Sequence, residues 1–263
     1  MVATVGLTDD RLRKLVPAIF ATSPEEGVSD RYTFVPTTRV ITSLRDRGWY
    51  VAKAMQAYSL KDDIRYKKHV VRMRHRDVSE QAKGKVGDLI PELVIYNSHD
   101  RTSSYRLYGG IFRMVCSNGM IIADKTFGSI NLVHKDYEDS TVMKLSEKFI
   151  DEQSNIFEHV GAWQDVKLSR RDKISFATDA SRGRWDTPPS EIHDDLLSVR
   201  RPEDMNSDLW TVMNVVQENL LKGGFQHPNT NRMVKPIQAL DRDREINTHI
   251  WDLAYLYSGM SPN

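Results

Sequence analysis

The sequence predicts an α+β fold, in which a mainly antiparallel sheet of about five to six strands packs with a mostly helical C-terminal half. From Trp49 to about Ala123, apolar and polar residues alternate with a period of two, as in half-buried strands. Beyond Val142, apolar residues recur every three or four positions, as in amphipathic helices. Strands and helices are therefore segregated along the chain, which argues against a doubly wound parallel sheet.

Two short helices are expected before the sheet. Thr8 is a suitable N-cap, and the acidic residues that follow it favour the positive end of a helix dipole. A second helix is expected to begin at Thr37 or Thr38 and to end at Gly48.

Alternating segments predict the strands, which are expected near residues 49–58, 66–76, 89–96, 104–108, 111–116 and 120–123, with another at 127–134. Asn118 and Gly119 both tolerate positive φ, so this pair predicts a tight hairpin turn.

The second half of the chain predicts helices. One covers residues 142–160, and Ser169 and Ser207 are suitable caps for two more. A last helix places four apolar residues on one face: Ile246, Ile250, Leu253 and Tyr257. The Trp-Asp-Thr-Pro-Pro sequence at 185–189 interrupts this pattern. It predicts a core domain over residues 1–186 and a helical extension over residues 187–263.

The composition is that of a soluble globular protein. Any electrostatic binding site must be a local cluster of charges, because the chain as a whole is nearly neutral. Its 263 residues carry a net charge of +1, so no general attraction to nucleic acid or membrane is expected. The single cysteine, Cys116, and the lack of a signal peptide suit a reducing cytoplasm. No apolar run is long enough for a membrane helix, so no membrane partner is expected.

A basic segment is the first candidate site. Residues 65–76 hold six Lys or Arg and no acid, and on a strand four of the cations would share one face: Lys68, Arg72, Arg74 and Arg76. Their spacing of about 7 Å per two residues roughly matches the phosphates of an extended single strand. Three tyrosines on or beside the paired strands would stack on bases: Tyr50, Tyr58 and Tyr66. The alternative is a solvated strand face whose charge is balanced by acids elsewhere.

The second candidate is a polar turn formed by Asn97, Ser98, His99 and Asp100. A His beside a carboxylate and a Ser permits acid–base, metal or binding chemistry. These residue types also stabilise ordinary turns by bonding local backbone, and we favour this structural interpretation. His99 is a conceivable base for Cys116, although a buried structural thiol is the more common role.

Standard catalytic signatures are absent from the sequence. We find no phosphate-binding loop, dinucleotide fingerprint, His-Glu-x-x-His, paired Cys-x-x-Cys or Gly-x-Ser-x-Gly, so no cofactor, metal or catalytic residue is assigned. The polar triplet Gln217-Glu218-Asn219 in an otherwise apolar helix either anchors the loop that follows or faces solvent.

Several segments also resemble a known family. They are residues 29–37 (SDRYTFVPT), 69–74, 91–100 (PELVIYNSHD), 110–119 (GIFRMVCSNG), 217–224 (QENLLKGG) and 247–251. In this order they are similar to a phage- and plasmid-related family of unknown function that includes the YafZ/YfjQ-type prophage proteins. That family usually has Gly after the His-Asp pair, where this chain has Arg101. The resemblance implies a mobile-element protein of the bacterial cytoplasm and supplies no established activity.

Three functions follow as hypotheses. The first is an accessory protein that binds nucleic acid, with single-stranded DNA binding or annealing during recombination, replication or transfer as its role. The second is an anti-defence protein that binds a host or phage protein. The third is a hydrolase or nuclease that uses His99 and Asp100. Self-association into a homo-oligomer through the helical half is compatible with all three.

Overall fold

The computed structural model describes residues 6–28, 32, 34–59, 63–77, 79, 89–113, 118–122, 130–131, 139–188 and 191–260. The chain divides into two compact units. Unit 1 contains residues 1–113 and 123–153, and unit 2 contains residues 114–122 and 154–263. The sequence predicts a boundary between a core domain and a helical extension near residue 186. Whether the core domain folds by itself stays a prediction.

Unit 1 is built on an antiparallel sheet whose strands follow one another in sequence order, β1-β2-β3-β4. These four long strands are β1 (Trp49–Gln56), β2 (His69–His75), β3 (Leu89–Asn97) and β4 (Arg106–Arg113). The two remaining described strands are short: β5 (Asn118–Ile122) belongs to unit 2, and β6 (Ile130–Asn131) pairs with β4. The α+β class is therefore confirmed, with fewer long strands than the sequence predicts.

Two predictions that involve glycines differ from the structure. The described parts of the segments expected at 104–108 and 111–116 belong to one strand, β4 (Arg106–Arg113), because Gly109 and Gly110 both pair with β3. The tight turn expected at Asn118-Gly119 is wrong, because both residues belong to β5. β4 ends at Arg113, and β5 begins at Asn118.

Two short helices and a 3-10 turn complete the described N-terminal part of unit 1. They are α1 (Asp9–Leu15), a 3-10 turn (Pro17–Phe20) and α2 (Thr37–Arg45). The Thr8 hydroxyl accepts a hydrogen bond from the backbone N–H of Arg11, as predicted for this cap. Val40, Ile41 and Leu44 form the buried stripe of α2.

A long helix, α3 (Asp139–Asp165), follows the sheet and confirms the prediction for residues 142–160. Its unit 1 portion packs on the sheet through Phe149, whose ring centroid lies 6.3 Å from that of Trp49. Both side chains are buried.

Unit 2 contains these helices: α4 (Arg170–Ser181), α5 (Ile192–Leu196), a 3-10 turn (Pro202–Asp204), α6 (Leu209–Lys222) and α7 (Leu240–Ser258). Ser169 and Asp172 form a capping box at α4, as the Ser169 prediction requires. The cap of α6 is Asp208 rather than the predicted Ser207, and its carboxylate accepts from the backbone N–H of Thr211. Aromatic rings from three helices form the centre of the unit: Trp163, Trp210, Trp251 and Tyr255. No helix in the described part of the chain has both the length and the apolarity needed to span a membrane.

Candidate functional site

The middle of the predicted basic row is a buried ion-pair cluster. Arg72 is 3% exposed, and its Nε atom lies 2.5 Å from Oε2 of Glu92, a fully buried residue on β3. The Nε atom of Arg74 lies 2.7 Å from Oε1 of the same carboxylate. The expectation of an exposed row without a neutralising acid is therefore wrong, because the acid comes from the neighbouring strand.

The register of the sheet explains how this cluster forms. Met73 lies opposite Leu93, so the next residues along the two antiparallel strands, Arg74 and Glu92, are also neighbours. On the other side of β3, Glu92 pairs with Gly110, which has no side chain to compete for the space around the carboxylate. A buried carboxylate is tolerated only when charge and hydrogen bonds compensate its desolvation, and the two guanidinium groups supply both. The side chains of Arg72 and Arg74 therefore stabilise the fold by compensating the charge of Glu92.

The remaining predicted contacts divide between two places. Tyr50 is buried, with its hydroxyl 3.4 Å from that of Ser79. Arg76 is exposed but follows β2 at its far end, about 27 Å from Lys68 at about 3.4 Å per residue. Tyr58, Tyr66 and Lys68 lie in the two segments that flank the connection between β1 and β2.

We call this region the hairpin end, residues 57–59 and 63–68. The backbone N–H of Ala57 donates to the carbonyl of Lys68 at 2.8 Å, which holds the two chain segments side by side. Tyr58 is 79% exposed, whereas Tyr66 and Lys68 are half-buried. The guanidinium carbon of Arg65 lies 5.7 Å from the Tyr66 ring centroid, and Arg65 also pairs with Asp63 at 2.5 Å.

The polar turn after β3 contains a buried hydrogen-bonded chain. The amide of Asn97 donates to Val35 O at 3.0 Å and to Thr37 Oγ1 at 2.9 Å. Thr37 Oγ1 lies 2.8 Å from Nε2 of His69, whose Nδ1 lies 3.0 Å from the carbonyl of Lys67. Because a carbonyl only accepts, Nδ1 carries the proton and Nε2 accepts from the threonine hydroxyl. Burial lowers the pKa of His69 to about 4, so the ring is neutral at pH 7.

The rest of the turn is held by its own side chains. The Ser98 hydroxyl donates to the carbonyl of Ser103 at 3.0 Å and accepts from its N–H at 2.9 Å. Asp100 accepts from the backbone and hydroxyl of Thr102, and it pairs with Lys67 at 3.1 Å. Burial opposes ionisation of Asp100, but these hydrogen bonds and the charge of Lys67 outweigh it and lower its pKa. Such contacts are typical of a side-chain-stabilised turn.

His99 is fully buried between two rings. Its ring centroid lies 4.8 Å from that of Phe34 and 5.2 Å from that of His69. Catalysis by His99 and Asp100 stays a hypothesis, and it would require substrate to reach these buried groups. Within the described ranges, no group of three or more His, Cys, Asp or Glu is arranged to hold a metal ion. Cys116 lies outside the described residues.

The polar triplet on α6 anchors its surroundings rather than facing solvent. Gln217 donates to Asn247 at 2.6 Å, which ties α6 to α7. The Asn219 amide donates to the carbonyls of Leu196 and Ser198 at 3.0 and 2.8 Å. Glu218 pairs with two cations, Arg201 and Lys222. The triplet therefore does not face solvent, but these contacts reach α7 and the segment before α6 rather than the loop that follows α6.

Comparison with known proteins confirms the resemblance found in the sequence. The chain is 31% identical over 255 residues to the UPF0380 protein YafZ of Escherichia coli (strain K12), covering 94% of this chain and 90% of that protein. The UPF0380 protein YfjQ of the same organism gives the same identity and coverage. No solved structure matches the chain. Residues 25–251 match the family described as a domain of unknown function (DUF932), and the chain belongs to that family.

Proposed function

We propose that this protein is an accessory protein of a mobile element in the bacterial cytoplasm, and that it binds single-stranded DNA through its hairpin end. The observation that carries the proposal is the 79% exposure of Tyr58 in the segment that also presents Tyr66 and Lys68. Stacking of a base on an aromatic ring contributes about 1–3 kcal/mol and needs no particular sequence. A lysine beside two such rings would take the adjoining phosphate.

The ion-pair cluster limits how strong this binding can be. Each phosphate contact to a single strand adds about 0.7 to the dependence of log affinity on log salt. Four contacts along the basic row would give a slope of about 2.8, whereas Lys68 and Arg76 alone give about 1.4. We therefore expect weak binding per chain, and self-association would raise the effective affinity by linking several hairpin ends.

Fluorescence anisotropy with a labelled single strand, over a salt series, tests the proposal. Tyr58→Ala should weaken binding about tenfold, which corresponds to about 1.4 kcal/mol of lost stacking. Lys68→Ala should flatten the salt slope by about 0.7. Arg171→Ala is the matched control, because Arg171 is an exposed cation on α4 in the other unit. If the wild-type protein binds neither DNA nor RNA, single- or double-stranded, at about 50 mM salt, the proposal fails.

A protein partner is the second candidate, and the apolar character of the same surface favours it. Ile64 is 40% exposed close to Tyr58, and Arg65 lies beside Tyr66. Tyrosine and arginine are enriched among the residues that dominate protein interfaces. In this hypothesis the protein is an anti-defence factor that binds a host protein. Binding through apolar contacts would persist as salt rises, whereas phosphate contacts weaken, so the same salt series separates the two functions.

A further inference from the structure

Unit 2 presents a second, well-braced hairpin after α6. We call residues 225–234 the unit 2 hairpin. Gln226 and Met233 form an antiparallel bridge, and the N–H of Val234 donates to the carbonyl of Phe225 at 2.8 Å. His227 N–H donates to the carbonyl of Arg232 at 2.9 Å. The intervening residues, 228–231, are all exposed.

The hairpin lies in a cationic segment. Between Lys222 and Leu240 the sequence contains Arg232, Lys235 and His227 but no Asp or Glu. The side chains of Arg232 and Lys235 are both exposed. An exposed loop with cations and no acids attracts anions locally, even on a chain of nearly zero net charge.

Arg184 adds a further positive charge at the base of the hairpin. Its guanidinium donates to the carbonyl of Leu220 and, at 2.5 Å, to the carbonyl of Lys235. These two acceptors are neutral, so they satisfy its N–H groups without cancelling its charge. Burial and, less strongly, the nearby charge of Arg242 lower the pKa of Arg184.

An aromatic ring lies among these cations. The guanidinium carbon of Arg184 lies 5.1 Å from the ring centroid of Trp185, and the His227 ring meets Trp185 edge-on at 5.9 Å. Trp185 is half-buried, so part of its ring remains accessible. Cations beside an accessible aromatic ring are the combination with which proteins hold phosphates and stack bases.

Backbone contacts also brace the base of the hairpin, and such contacts limit the entropy lost on binding. A Cβ atom at Gly223 would overlap the carbonyl of Val234, so the two backbones are in direct contact. Arg200 donates to the carbonyl of Gly223 at 2.8 Å, and Ile237 donates to that of Leu221 at 2.8 Å. A preformed loop binds without the cost of first becoming ordered.

We propose that the unit 2 hairpin is a second nucleic-acid contact, in which Arg232 and Lys235 hold phosphates of a single strand and Trp185 stacks on a base. The choice of ligand rests on the proposed function, but this site is separate from the hairpin end of unit 1. It is defined by residues of unit 2 alone.

The test compares two double variants of the full chain by anisotropy with a mixed-sequence single-stranded DNA. Arg232→Ala/Lys235→Ala should weaken binding at low salt and flatten the salt slope by about 1.4. Arg170→Ala/Arg171→Ala removes the same charge from an exposed helix of the same unit and should have a smaller effect. Arg232→Lys/Lys235→Arg should bind like the wild type, since it keeps both charges. Thermal unfolding of each variant checks that the fold is retained.

The outcomes separate this site from the first. If Tyr58→Ala weakens binding but Arg232→Ala/Lys235→Ala does not, the unit 2 hairpin is not a contact and the proposed function stands. If both double variants weaken binding equally, the attraction is diffuse and the site is overturned. If the wild-type protein does not bind single-stranded DNA, both proposals fall. Loss confined to Arg232→Ala/Lys235→Ala supports the unit 2 hairpin and overturns the hairpin end.

Discussion

The Glu92 carboxylate lies 2.5 Å from the Nε atom of Arg72, and both side chains are almost completely removed from solvent in the middle of the sheet. Arg74 reaches the other oxygen of the same carboxylate. Glu92 in particular depends on the two arginines, because a fully buried carboxylate needs compensating charge.

Glu92→Gln should destabilise unit 1 by about 3–5 kcal/mol, since one buried and one half-buried guanidinium group lose the carboxylate that they share. Urea unfolding followed by circular dichroism measures this change. Replacing the whole cluster in Arg72→Met/Glu92→Leu/Arg74→Met should cost much less, because apolar side chains need no compensation. A small effect of Glu92→Gln, or a larger effect of the triple variant, would contradict this account.

Arg101 adopts a left-handed conformation with φ of 65°, in the turn that follows Asp100. This conformation costs an L-residue about 1–2 kcal/mol, whereas glycine adopts it freely. Arg101→Gly should therefore raise the free energy of unfolding by about 0.5–1 kcal/mol. This net gain allows for the larger conformational entropy of glycine in the unfolded chain, which opposes folding. Arg101→Ala is the control, because it removes the same side chain but keeps the strain. Equal stability of the two variants would show that the backbone conformation is not limiting.

His69 should make the protein acid-sensitive in a defined pH range. Its pKa is about 4 when folded, below the 6.5 of an exposed histidine, so the unfolded chain binds more protons between these values. The free energy of unfolding should fall as pH drops from about 6.5 to 4, by on the order of 3 kcal/mol, and this contribution should level off below pH 4. Urea unfolding at several pH values checks this. His69→Gln should be less stable at pH 7 but should show a flatter profile, and an unchanged profile would assign the acid sensitivity to other groups.

Substituting Gly223 tests the close backbone contact at the base of the unit 2 hairpin, and Gly161 provides the control position. Gly223 has φ of 59° and would place a Cβ atom against the Val234 carbonyl, so Gly223→Ala should destabilise by about 2 kcal/mol or more. Gly161 lies inside α3 with nothing within 4 Å of an added Cβ atom, so Gly161→Ala should stabilise by about 1 kcal/mol. Thermal unfolding should shift in opposite directions for the two variants. Shifts in the same direction would contradict the overlap at Gly223.

Local chemistry made part of the fold predictable. Thr8 and Ser169 cap helices because their side chains bond N–H groups only three residues away, and both were identified from the sequence. The start of β1 at Trp49 followed from the change to a period of two. In each case the determining contacts lie within a few residues of the chain.

Non-local contacts caused the errors. Arg72 was predicted to be exposed because alternation shows which face of a strand a residue occupies, but not which residue lies opposite it. Gly109 and Gly110 were predicted to end a strand, but pairing with β3 overrides their weak intrinsic preference. Trp185 was interpreted as part of a break in the chain, since its contact with His227 joins residues that are far apart in sequence.

The order of the strands in the sheet also determines the order in which they can pair during folding. Because β1, β2 and β3 each pair with the strand that follows in the chain, their contacts are local, and local pairing favours rapid folding. During synthesis, however, Arg72 and Arg74 leave the ribosome before Glu92. The first hairpin must keep these two guanidinium groups in water until the third strand arrives. In the nascent chain, the two arginines can therefore be buried in the sheet only after Glu92 has left the ribosome.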